Sequence, residues 1–121
     1  MRKSLLVVLA LTINFVTAQI FITEIADPNN SSSTGRFVEL FNISSSDVDL
    51  STGWALQRWT NQSTDPLTAV ALTGTIPASG FYIITNDATK FETTFGFAAD
   101  QDIGTQGPAD SNGDDKIALL D

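Results

Sequence analysis

Arg36-Phe37-Val38-Glu39-Leu40-Phe41-Asn42-Ile43 decides the fold. Side chains of a strand alternate between its two faces, so Val38 and Leu40 share one face and Phe37, Glu39 and Phe41 the other. Both faces carry apolar groups, which predicts a central strand rather than an edge. Outward from it, the chain reads as short β runs between turns. Upstream, Gln19–Ala26 is rich in Ile, Phe and Thr and reads as a first strand. The intervening Asp27–Gly35 is built of turn-formers. Downstream, Ser44–Asp47 is a turn and Val48–Leu50 a short strand. Trp54–Thr60 alternates Trp54, Leu56 and Arg58 against Ala55, Gln57 and Trp59. Asn61–Pro66 is a loop, Ala69–Leu72 a short strand, and Thr73–Gly80 a connection. Phe81–Thr85 is a strong β run and Lys116–Leu120 a last strand. Ala88–Phe95 is the one predicted helix, with Lys90, Phe91, Thr94 and Phe95 on one face and Asn86 or Asp87 as its cap. Six or seven short strands at such spacing predict an all-β sandwich. Its expected core is Val38, Leu40, Trp54, Leu56, Phe81, Ile83, Ile117 and Leu119.

The first eighteen residues stand outside that fold. Met1-Arg2-Lys3 is positively charged, Ser4–Val16 is almost continuously apolar, and Val16-Thr17-Ala18 offers small residues for cleavage. This is the pattern of a secretory signal peptide. The apolar run is too short for the roughly 20 residues that span a bilayer. Cleavage is expected after Ala18, giving a protein that is secreted or held at the cell surface, with no membrane span thereafter.

The remaining 103 residues form one domain, 19–121, with fourteen acids and four bases (Arg36, Arg58, Lys90 and Lys116), a net charge of −10. Four scattered cations exclude a phosphate-backbone binder, so nucleic acid is not an expected partner. The chain has no cysteine and no histidine. That removes disulfides, thiol nucleophiles, Cys/His zinc sites and a Ser-His-Asp triad. Glu24, Glu39, Asp47 and Asp49 are carboxylates of the type glycoside hydrolysis uses. That chemistry needs a facing pair across a cleft, and nothing in their spacing provides one. The expectation is a protein that is not an enzyme.

Two places could meet a ligand. Asp110, Asn112 and Asp114 put oxygen ligands at alternate positions of one turn, a candidate calcium site, with Asp100 and Asp102 just upstream. It is not an EF-hand, because Gly113 falls at the fourth position. No other cofactor is expected. Trp59, opposite in facing to Trp54, is a candidate binding platform with Arg58 beside it; the alternative is packing under the Asn61–Pro66 loop.

Ile22-Thr23-Glu24-Ile25, Arg36-Phe37-Val38-Glu39-Leu40-Phe41-Asn42, Val48-Asp49-Leu50-Ser51-Thr52-Gly53-Trp54-Ala55-Leu56 and Ile76-Pro77-Ala78-Ser79-Gly80-Phe81-Tyr82-Ile83-Ile84 occur in that order. So arranged, the chain resembles the lamin tail domain family, and its secreted bacterial branch, in which a stretch like Gly107–Asp115 precedes the final apolar strand. The resemblance covers Ile20–Asp121. It implies an immunoglobulin-like sandwich without catalytic residues, acting as an interaction or scaffolding module that binds protein or glycan. Two other readings go with it: an accessory domain of a larger extracellular hydrolase of nuclease or phosphatase type, and a calcium-dependent carbohydrate-binding module. Family members continue past the position of Asp121 through at least one more strand, so the resemblance implies a fragment of a longer protein or a missing final strand.

Overall fold

The computed structural model describes residues 19–121; the expected signal peptide lies outside them. Nine strands, one α-helix and two short 3-10 turns make up the described residues. β1 (Ile20–Ala26), β2 (Phe37–Asn42), β7 (Phe81–Thr85) and β8 (Gln101–Asp102) form one sheet in that order. β1, β2 and β7 are antiparallel neighbours, and β8 joins β7 in parallel. The facing layer is the three-stranded sheet β5 (Val70–Ala71), β4 (Ala55–Trp59), β9 (Lys116–Leu120), with the pair β3 (Val48–Asp49) and β6 (Thr75–Ile76) beside it. The result is an immunoglobulin-like β-sandwich with a single short helix, α1 (Ala88–Phe95).

The core lies between the layers. Val38, Leu40, Tyr82 and Ile84 from one sheet meet Leu50, Leu56, Leu72 and Ile76 from the other side, all buried. Trp54, Ile117 and Leu119 pack against this cluster and are partly buried. Central placement of β2 explains its two apolar faces. Leu40 points to the sandwich interior, while Phe37 points outward and is covered by α1, where it meets Phe91 edge-on at 5.5 Å. Ile83 joins this second cluster with Phe37 and Phe91.

Phe81, expected in the core, is 57% exposed. The facing of β7 is the reverse of the expected one: Tyr82 and Ile84 point inward, so Phe81 and Ile83 point outward. The helix covers Ile83 and does not reach Phe81. An all-apolar strand carries no polar alternation to reveal which face is inside.

A bulge corrects the register of β1. Ile22 pairs with Leu40 and Ile25 with Val38, with one extra residue between them. The extra residue keeps both isoleucines on the inward face despite their odd spacing, as a β-bulge does. Gly53 closes the 3-10 turn before Trp54 at φ 137°, a conformation only glycine adopts readily. Asp87 caps α1, its carboxylate accepting the Lys90 N–H at 3.0 Å.

Candidate binding site

The Asp110 turn is where the polar chemistry of the domain concentrates. Arg36, at the start of β2, donates from Nε to Asp27 at 2.8 Å and from Nη1 to Asp110 at 2.9 Å. Asp110 also accepts the Asn86 Nδ2 at 2.9 Å and the Gln106 N–H at 2.8 Å. Arg58, inward on β4, is buried; it donates from Nη1 to the Asp110 carbonyl and to Asp115, the latter at 3.3 Å, and from Nη2 to the Gln106 carbonyl at 3.0 Å. Two arginines from different strands thus hold the long loop before β9. Burial works to raise the Asp110 pKa, but the Gln106 N–H, Arg36 and Asn86 together hold it below the ordinary aspartate range. Arg36 is shifted upward, chiefly by its hydrogen bond to Asp27.

The turn residues singled out for calcium have different partners. Both Asp110 oxygens accept protein donors. Asp114 faces the Asn61 side chain, whose NH2, in the orientation that satisfies both groups, donates to it at 2.7 and 3.2 Å. Asn112 is exposed. Asp100 accepts the Ile83 N–H at 2.7 Å, and Asp102 accepts the N–H groups of Ala88 and Gly104. Among the described residues no cluster of three or more acidic side chains is arranged to hold a metal ion.

Arg58 lies inside the sandwich rather than on a binding surface. It occupies an inward position of β4 opposite Ile117, and its guanidinium reaches the loop instead of solvent. Trp59, on the opposite face, is half-buried. With Thr64, Lys116, Ile117 and Ala118 it lines a surface cavity of about 400 Å³. The cavity sits where β4 and β9 pair, Trp59 being directly opposite Lys116. The Lys116 ammonium reaches the Ser63 carbonyl at 2.9 Å, which fixes the Asn61–Pro66 loop as the cavity's rim.

The carboxylates weighed for hydrolysis have other partners. Asp47 accepts the Ala78 N–H at 2.9 Å, and Asp49 the Ser51 N–H at 2.9 Å. Glu24 and Glu39 are cross-strand neighbours on one sheet, not groups facing each other over a cleft.

The family model for the Lamin Tail Domain matches residues 14–121. The chain belongs to the lamin tail domain family. A comparison with curated proteins finds no match. The lamin tail domain is a non-catalytic family. No helix among the described residues of this lamin tail domain is long and apolar enough to cross a membrane.

Proposed function

We propose that this lamin tail domain is an interaction and scaffolding module of a secreted or cell-surface bacterial protein, binding protein or glycan. The Trp59 cavity carries the reading. It combines an aromatic face, a cation and a hydroxyl in one concave site, the mixture that recognises sugars and peptides by stacking and a few polar contacts. The signal-like segment 1–18 supports export. Tryptophan fluorescence of the exported chain, titrated with glycan and peptide panels, tests it. A saturable response should disappear in Trp59→Ala while the melting temperature holds. A cavity that responds to no member of either panel overturns it. N-terminal sequencing of exported protein should begin at Gln19, and retention of Met1 would refute export.

A second reading is an accessory domain within a larger extracellular hydrolase, and one observation suits the longer chain it requires. Ile25 points inward from edge strand β1 yet is 45% exposed, and Ile117 and Leu119 on edge strand β9 are only half-buried. Gln101 of β8 bonds to Ala71 and Thr73 beside β5, so β1 and β9 flank the same opposite side of the sandwich. A further strand packed there would cover these side chains. The test is the gene: a reading frame that continues past Asp121 into a hydrolase supports it, and a stop codon at that point refutes it.

A further inference from the structure

The outer face of the four-stranded sheet carries a feature with no role in the sandwich core. Phe21 is the register partner of Phe41, and Phe41 of Phe81, so three phenylalanines stand in one row across β1, β2 and β7. Directly opposed residues share a face. Leu40 points inward, so this row points out. The Phe41 and Phe81 rings lie 4.8 Å apart at 38°. Phe21 and Phe81 are 44% and 57% exposed. Ile43, two residues beyond Phe41 with its N–H bonded to the Gln19 carbonyl, extends the strip and is 62% exposed. Helix α1 covers the far end of this same face over Phe37 and leaves the row bare.

Beside the row, Glu24 and Glu39 are register partners. Like charges directly opposite each other destabilise a sheet. The Thr23 hydroxyl donates to Glu39 at 2.7 Å, but neither glutamate has an ion-pair partner among the described residues. The cations of the described residues are engaged: Arg36 with Asp27 and Asp110, Arg58 with Asp115, Lys90 with Asp87, and Lys116 with the Ser63 carbonyl.

The geometry points to a docking surface on this sheet face for a protein segment that presents apolar side chains flanked by lysine or arginine. The apolar row supplies contact area without hydrogen-bonding groups of its own, which suits an apolar side chain. The opposed carboxylates supply the charge complement, and a cation between them removes their repulsion. A second copy of the chain is disfavoured because it brings the same negative excess and, among the described residues, no disengaged cation. Anionic lipid is disfavoured for the same reason.

This inference rests on the interaction-module reading but uses a different surface, and its test separates the two. The probe is a synthetic peptide in which lysine alternates with apolar residues; its twin carries glutamate for lysine. By fluorescence anisotropy the lysine peptide should bind about tenfold or more tighter than the twin. Phe21→Ser with Phe81→Ser should weaken it about tenfold. Glu24→Gln with Glu39→Gln should weaken it severalfold and flatten its salt dependence. Trp59→Ala and Asp65→Asn should leave it unchanged. Circular dichroism of each variant confirms the fold, and Phe81→Tyr, which keeps the ring, should retain binding. Equal binding of the two peptides, or binding insensitive to the phenylalanine pair, overturns the site. So does a wild-type dimer in sedimentation, or attachment to phosphatidylcholine vesicles, that the phenylalanine substitutions abolish. If Trp59-dependent ligands bind and the lysine peptide does not, this inference falls and the interaction-module reading stands.

Discussion

Replacing Asp110 removes the link between two strands and the loop before β9. Its carboxylate accepts three hydrogen bonds, from Arg36, Asn86 and Gln106, at 2.8–2.9 Å. Its side chain is 16% exposed and that of Arg36 is 14% exposed, so solvent repairs little of the loss. Taking one partner from a largely buried ion pair and leaving donors unmet costs about 3 kcal/mol. Asp110→Ala should therefore lose about that much in urea denaturation at pH 7, and about 10 °C or more in melting temperature. Asp110→Asn keeps the shape and one acceptor, and should lose roughly half as much. The charge adds a pH signature. The folded pKa of Asp110 lies below its unfolded value of about 3.9. The stabilisation is then complete above the unfolded value and is lost as pH falls through the lower folded value. The stability gap between wild type and Asp110→Asn should be full at pH 7, begin to shrink below about 4 as the unfolded chain takes up the proton, and close only as pH falls through the lower folded value, where folded wild type is also neutral at this position. A gap that does not change with pH, or one under about 0.5 kcal/mol at pH 7, would refute the assignment of Asp110 as the anchor of this loop.

Three further outcomes are expected. Gly35→Ala should destabilise strongly: Gly35 sits at φ 70°, and a Cβ there would lie 2.5 Å from the Phe91 backbone nitrogen. The backbone alone costs about 1–2 kcal/mol, and α1 must also shift, so the melting temperature should fall well beyond that share; an unchanged value would contradict the close approach of the helix. Asn42→Ala should lose about 2 kcal/mol or more in urea denaturation, because its buried amide bonds the Ser46 and Pro77 carbonyls and accepts from Ser44. Adding EDTA or millimolar-range calcium should leave the melting temperature unchanged, since the Asp110 oxygens already have protein donors; a calcium-dependent rise would show a metal at the turn.

The alternating strands were legible in the sequence, and the continuous ones were legible only as strands. In β2 the glutamate between two phenylalanines separates the faces, and Val38 and Leu40 are both in the core. In β7, Phe81 to Ile84 are all apolar and the facing is set by tertiary context, namely where α1 lands. The helix and its Asp87 cap follow from local chemistry and appear over Ala88–Phe95. The two-residue strands β6 and β8 carry too little pattern to read, and the parallel pairing of β8 with β7 depends on a loop whose course is set by long-range bonds. The same holds for Arg58. Alternation places it on the inward face, yet only the loop carbonyls, more than forty residues away in sequence, explain how a guanidinium can be buried there.

The acidity of the chain has a structural cause that composition hides. Seven aspartates, Asp47, Asp49, Asp87, Asp100, Asp102, Asp110 and Asp115, accept backbone N–H groups, in turns, at the helix start or, for Asp100, in the middle of β7. A turn-rich sandwich leaves many N–H groups without a ladder partner, and a short carboxylate satisfies them, within its own turn or from a segment distant in sequence. Asp100, Asp102 and Asp110, which resemble metal ligands in sequence, thus each accept a backbone N–H. The glutamates have no such task. Glu24 and Glu39 accept no backbone N–H, stand opposite each other, and border the exposed phenylalanine row. Glu24 and Glu39 are thus carboxylates without a backbone N–H to cap that stand beside the bare apolar face, which is the arrangement expected of a surface shaped for a partner.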